Sequence, residues 1–175
     1  VLTAAFSPDG QTVVTASADR TARVWDIDKG FCTHAFRGHG GMVTVACFHP
    51  DARKLQLYTG SQDGEVRAWS LRERKCVGVL QAHQSSVTAI QVPMAAEGGV
   101  DKLITCARDR VVHEWNLKTM KRISTLPVHE AAEGLVCLDP AAAAGLVGKA
   151  AVRAAPDARR GVAAARRRAS AMSLL

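Results

Sequence analysis

The chain has 175 residues, a formal net charge of +7 and an apolar share of 47%, which allows one ordinary hydrophobic core. The charge is uneven. Residues 141–175 carry Lys149, Arg153, Arg159, Arg160, Arg166, Arg167 and Arg168 against a single acid, Asp157, so residues 1–140 are close to neutral and the basic pI gives them no argument for nucleic-acid binding. Cys32, Cys47, Cys76, Cys106 and Cys137 include no C-x-x-C pair. With no charged-then-apolar leader and no long apolar run, they point to a reducing, intracellular compartment, each cysteine acting as a small buried hydrophobe inside a strand.

Residues 1–37 read as a unit of four short strands. Residues 1–6 form strand a, Ser7-Pro8-Asp9-Gly10 a tight turn, 12–17 strand b, Asp19-Arg20 a second turn, 21–25 strand c and 31–36 strand d. Strand c alternates Ala22 and Val24 with Arg23 and Trp25, as a strand with two different environments should. Residues 38–81 repeat the plan, with strands at 42–48, 55–59, 65–69 and 76–80 around a His49-Pro50-Asp51 turn. Residues 82–127 repeat it again, with strands at 87–92, 103–106, 111–115 and 122–126. The third a–b connection, 93–101, is longer and contains Gly98-Gly99; it reads as a rim insertion. Residues 134–138 open a candidate fourth unit reaching 140, which Asp139-Pro140 interrupts. From 141 to 175 Ala and Arg dominate, and the segment reads as a disordered, low-complexity tail. Because Val1 begins directly in a strand, the chain reads as part of something longer.

Three marker types keep one step. His39, His83 and His129 are 44 and 46 residues apart, and so are Asp19, Asp63 and Asp109, and Trp25, Trp69 and Trp115. Thr15, Thr59 and Thr105 each precede their Asp by four, a spacing that returns to the same strand face. A period of about 40–45 residues with Gly-His early and Trp late is that of the WD40 β-propeller blade. The expected fold is therefore all-β: about three four-stranded blades of a longer propeller, whose ring normally needs 4–8.

These Thr, Asp, Trp and His residues resemble the structural tetrad of WD40 proteins. A catalytic triad is the competing reading, but the set recurs in every unit, whereas a catalytic site need be built once. No catalytic, metal or cofactor site is expected. His34, His39, His49 and His113 lack ligand spacing for zinc. The name-giving dipeptide is intact only at Trp25-Asp26. Trp69-Ser70 and Trp115-Asn116 depart from it, and Ala82-His83 and Val128-His129 replace Gly-His; Ser and Asn can still bond a turn backbone. Arg20, Arg108 and Arg110 in the b–c turns form a candidate partner-binding spot for an acidic peptide or RNA phosphate.

A sharper resemblance runs from FRGHGGMVTVACFHPDARKLQLYTGSQDGEVRAWSL through CVGVLQAHQSSVTAI and DKLITCARDRVVHEWNL to STLPVHEAAEGLVCL. These stretches are similar to the transducin-beta-like, U3 small nucleolar RNA-associated WD40 proteins of the small-subunit processome. The resemblance implies a nucleolar, non-catalytic scaffold in 18S rRNA maturation. Its partners would be other WD40 and helical subunits of a ribonucleoprotein assembly, with indirect or peripheral contact with U3 RNA and pre-rRNA, and no membrane or small-molecule substrate. The helical C-terminal domain of that family is replaced by the Ala/Arg tail. The alternatives are another WD40 adaptor (a ubiquitin-ligase substrate receptor or a Gβ-like signalling scaffold) and a non-functional truncated product.

Overall fold

The computed structural model describes residues 1–93, 101–136 and 151–154. Three four-stranded antiparallel sheets succeed one another along the chain, each paired in sequence order from strand a to strand d. The first contains β1 (Thr3–Phe6), β2 (Thr12–Ala16), β3 (Thr21–Asp26) and β4 (Cys32–Arg37). The second contains β5 (Val43–Phe48), β6 (Gln56–Ser61), β7 (Glu65–Ser70) and β8 (Lys75–Gln81). The third contains β9 (Val87–Gln91), β10 (Lys102–Ala107), β11 (Val111–Asn116) and β12 (Lys121–Pro127). A ribbon of β13 (Ala132–Val136) and β14 (Ala151–Ala154) follows.

The core lies between the sheets. Val14, Ala16, Val24 and Phe36 of the first pack with Val43, Ala46, Leu57 and Trp69 of the second. Tyr58, Val66, Ala68 and Leu80 of the second pack with Val87, Ile90, Leu103 and Trp115 of the third. A strand covered on both faces loses its polar alternation, which is why β6 is almost wholly buried. Polar bonds add to the packing. Val43 N–H donates to Ser17 O across the first junction at 3.1 Å. The Thr44 hydroxyl donates to Val87 O across the second at 2.6 Å, and Thr88 makes the equivalent bond to Ala132 O.

Each sheet also carries a register shift immediately before its Trp, between Val24 and Trp25, Ala68 and Trp69, and Glu114 and Trp115. A bulge bends the strand and re-aims the side chain beside it; in the second and third sheets that side chain is an indole turned into the junction. The d-strand residue at matched register completes the packing. Phe36 lies 4.9 Å from the Trp69 ring, centroid to centroid, and Leu80 joins the cluster of Trp115. Leu126 holds the same place in β12 and is 57% exposed.

Some expectations change. Strand b of the second sheet starts at Gln56 instead of Leu55, because Asp51 caps a short 3₁₀ turn, Ala52–Lys54, that ends with Leu55 in the left-handed region at φ 49°. Phe31 precedes strand d and is exposed. Cys32 is exposed rather than buried, since strand d is the outer edge of its sheet. Cys106 is buried, whereas Cys47 and Cys76 are only half-buried, and desolvation by the surrounding side chains pushes the Cys47 thiol up to about 12. Within the Ala/Arg segment, Ala151–Ala154 form a strand by pairing with β13. The Gly98-Gly99 insertion, Cys137, the Asp139-Pro140 stop and the rest of the tail lie outside the described residues.

Close packing sets one clear constraint. A Cβ on Gly60 would lie 2.6 Å from Val87 Cγ1 and 2.9 Å from Val45 Cγ1. Gly60→Ala should destabilise the chain by about 1–3 kcal/mol through overpacking, while Gly134→Ala, with open space around its Cβ, should lose much less. Urea melts of the two variants check this.

Candidate functional site

The structure brings the repeated polar residues together in the second and third sheets. In the second, Trp69 Nε1 donates to Thr59 Oγ1 at 2.8 Å, and His39 Nε2 lies 2.7 Å from the same oxygen. Thr59 is fully buried. One arrangement satisfies all three groups: the indole donates to the hydroxyl, and the hydroxyl donates to Nε2. His39 Nδ1 then faces Asp63 Oδ2 at 3.4 Å, without hydrogen-bond alignment. Asp63 accepts instead from three backbone N–H groups: Gly40 at 2.7 Å, Gly41 at 3.2 Å and Glu65 at 2.9 Å. The carboxylate thus staples the d–a loop to the b–c turn.

The third sheet repeats the set with better alignment. Trp115 Nε1 donates to Thr105 Oγ1 at 2.9 Å, His83 Nε2 lies 2.8 Å from that oxygen, and His83 Nδ1 reaches Asp109 Oδ2 at 3.0 Å. Asp109 also accepts from Gln84 N at 3.0 Å. In the first sheet only the pair Trp25–Thr15 forms among the described residues, at 2.9 Å. Asp19 turns to its own loop, accepting from Thr21 and pairing with Arg23 at 3.2 Å. His129 is exposed.

Electrostatics follows burial. Burial pushes the His39 and His83 pKa values down, and the facing Asp63 and Asp109 only partly oppose it. Burial alone would raise the two aspartates. Donated backbone N–H groups and the neighbouring histidines outweigh it and hold both below the usual carboxylate range.

Sequence reasoning missed one partner. His113, two residues before Trp115 where the other sheets have Arg23 and Arg67, packs its ring against His83 at a tilt of 42°, with ring centroids 4.5 Å apart. Burial lowers its pKa, and the charges of His83 and Arg122 push the same way. The departure from Arg at that repeat position was the available signal.

As a metal centre, the His39, Asp63 and Glu65 group is poor, although its ligand atoms lie within 4.8 Å of one another. Asp63 is spent on backbone donors and Glu65 pairs with Arg67 at 2.8 Å, which leaves no open acceptor set for a cation. The departures from Trp-Asp are accommodated. Asp26, Ser70 and Asn116 each accept a backbone N–H of the c–d turn.

Arg20, Arg108 and Arg110 are exposed in the b–c turns and take part in no ion pair among the described residues. Arg20 and Arg110 sit at φ 66° and 63°, where the second sheet has Gly64 at φ 82°. Gly64 is required there, because a Cβ would come within 2.5 Å of the His83 carbonyl.

The family described as WD domain, G-beta repeat matches residues 1–26, 30–70 and 74–116, and the chain belongs to it. It is 43% identical over 90 residues to transducin beta-like protein 3 of Bos taurus, covering 51% of this chain and 11% of that protein. It is 36% identical over 91 residues to WD repeat-containing protein 37 of Mus musculus, covering 51% of this chain and 18% of that one. The chain therefore spans only a small part of the curated relatives it matches. The crystal structure of RRP9 WD40 repeats superposes with a TM-score of 0.67 at 20% identity, over 75% of this chain and 40% of that chain; it shares the fold.

Two outcomes follow. Asp63→Ala should cost about 1–3 kcal/mol by orphaning its backbone donors, while Arg108→Ala should leave stability nearly unchanged; urea denaturation of the two compares them. Acid should also destabilise. The ordinary histidine value is 6.5 and the folded values of His39, His83 and His113 lie below it, so their contribution is complete above pH 6.5 and is lost as pH falls below it. The depressed aspartates add a second loss below their ordinary 3.8. Melting temperature should drop between pH 7.5 and 5.5, and His113→Gln should reduce the drop.

Proposed function

We propose that this chain is part of a non-catalytic WD40 scaffold of the small-subunit processome, acting in pre-rRNA processing and 18S rRNA maturation in the nucleolus. The observation that carries the reading is the 43% identity to transducin beta-like protein 3 over 90 residues. It agrees with the resemblance of the blade-two and blade-three stretches to the transducin-beta-like, U3-associated WD40 subfamily. A fold match alone would carry no function, because propellers are platforms.

The polar sets act structurally. Thr59 and Thr105 are fully buried, and His39, His83, Trp69 and Trp115 nearly so, so a substrate cannot reach the hydroxyls. Each hydroxyl is already committed to an indole and an imidazole, which is the opposite of an activated nucleophile in a cleft. What the repeats offer a partner is surface: the turn rims and the outer strands. Several weak contacts in one large assembly would add by effective concentration. Arg20, Arg108 and Arg110 are the charged points of one rim and would pair with acidic protein segments or peripheral RNA phosphate.

Affinity purification of the tagged full-length protein from cells, at moderate salt, tests the assignment. Enrichment of U3 RNA and 18S precursors with other WD40 and helical subunits is expected. Ubiquitin-ligase subunits or G-protein partners without that RNA would overturn it. Arg108→Glu with Arg110→Glu should reduce RNA or acidic-partner recovery without shifting the melt.

A further inference from the structure

A cavity of about 330 Å³ opens between the first and second sheets beside their a–b turns, at the end of the strands opposite the arginine-bearing b–c turns. Val24, Phe48, Leu55 and Leu71 wall it, and Asp9 and Arg72 stand among its lining. The next junction shows what this space is shaped for. Val14 precedes Thr15 as Tyr58 precedes Thr59. Tyr58 is fully buried, clustered with Val92, Leu103 and Leu117 of the third sheet, and its hydroxyl donates to Gln56 Oε1 at 2.8 Å. At the first junction the same repeat positions are Phe48, Leu57, Leu71 and Thr12. Val14 packs among the first three, but its side chain ends at the γ carbons, where a tyrosine ring begins. Thr12, Phe48 and Leu71 all line the cavity, so the first junction is open beside the positions that surround an aromatic ring at the second.

We propose that this cavity receives a tyrosine side chain from an extended segment of a partner protein, with an acidic residue on one side of the tyrosine and a basic residue on the other. Apolar walls with a few polar groups are the ordinary make-up of such a pocket, and Thr12 and Gln56 in the lining can bond a phenol hydroxyl. Charge supplies the flanks. Asp9, on the first sheet's turn, and Arg72, on the second sheet's, are both exposed and in no ion pair among the described residues. The neighbouring Asp51 is already held by Arg53 at 3.0 Å. The walls are fixed before binding, because His34 Nε2 bonds Leu71 O across the junction at 3.0 Å. A preformed pocket spares the ordering cost of binding. This site is separate from the arginine rim and does not depend on which assembly the scaffold serves.

Titration of the ¹⁵N-labelled full chain with the peptide acetyl-Glu-Ser-Tyr-Ser-Lys-amide, followed by NMR, tests the proposal. Amide shifts should centre on Thr33 and Leu71, and the peptide with Ala for Tyr should bind at least about tenfold more weakly. Val14→Tyr, which places a phenol inside, should abolish the response while retaining a dispersed spectrum. Arg72→Glu, an exposed change that does not touch the fold, should weaken binding about threefold, and exchanging the peptide's Glu for Lys should restore it. Absence of shifts at millimolar peptide, equal shifts with the Ala peptide, or an Arg72→Glu variant that binds both charge patterns alike would overturn the proposal. Concentration-dependent shifts of the same amides without peptide would assign the cavity to a second copy of the chain, and would overturn it too.

Discussion

A single hydroxyl at each sheet junction has to be satisfied without water. Thr59 and Thr105 are fully buried, and a buried polar group with no partner costs more than a typical bond contributes. Each has an indole N–H and an imidazole nitrogen within 2.9 Å. The three partners come from strand b, strand c and the loop entering strand a. Their meeting therefore fixes where the loop returns and how far the indole turns. The bulge before each Trp lets the indole leave regular register to reach the hydroxyl. The same indole then presents its ring to the d-strand residue of the preceding sheet. Polar satisfaction within a sheet and apolar packing between sheets are thus two sides of one side chain.

The first sheet shows how much of this is modular. It keeps Trp25 donating to Thr15, but no His faces Asp19 among the described residues, and the carboxylate falls back on Thr21 and Arg23. Trp25 is correspondingly less buried than Trp69 and Trp115. At the other end, Leu126 occupies the register of Phe36 and Leu80 yet stands exposed. Among the described residues each side chain lacks the neighbour that the repeat supplies elsewhere, as expected where burial depends on the adjacent unit.

Much of this was legible in the sequence because the repeat prints it three times. The 44- and 46-residue steps mark Thr, Asp, Trp and His, which meet in the second and third sheets, whereas in the first sheet only Thr15 and Trp25 bond among the described residues. The capability of Ser70 and Asn116 to stand in for Asp26 also followed from side-chain chemistry. What periodicity could not show was local backbone geometry. Leu55 enters the left-handed region because Asp51 prefers to cap a 3₁₀ turn, and nothing in an alternating pattern marks that. The contact of the His113 and His83 rings depends on two residues 30 positions apart meeting across a d–a loop. The strand at Ala151–Ala154 is an Ala-rich segment that composition assigns to coil, and pairing with β13 overrides it. The arginine turns and the open cavity belong to the same lesson: variation at a repeated position carries more information than the repeat itself.

A double-mutant cycle on Thr59→Val and Trp69→Phe reads the central claim most directly. The hydroxyl and the indole N–H are removed singly and together, and stability is measured by urea denaturation at pH 7.5. If the junction depends on their bond, Thr59→Val orphans the buried indole N–H and Trp69→Phe strips the hydroxyl of its donor, and the double variant should lose less than the sum by about 0.5–3 kcal/mol. Strict additivity would mean that the two side chains contribute only by packing, and would contradict the account.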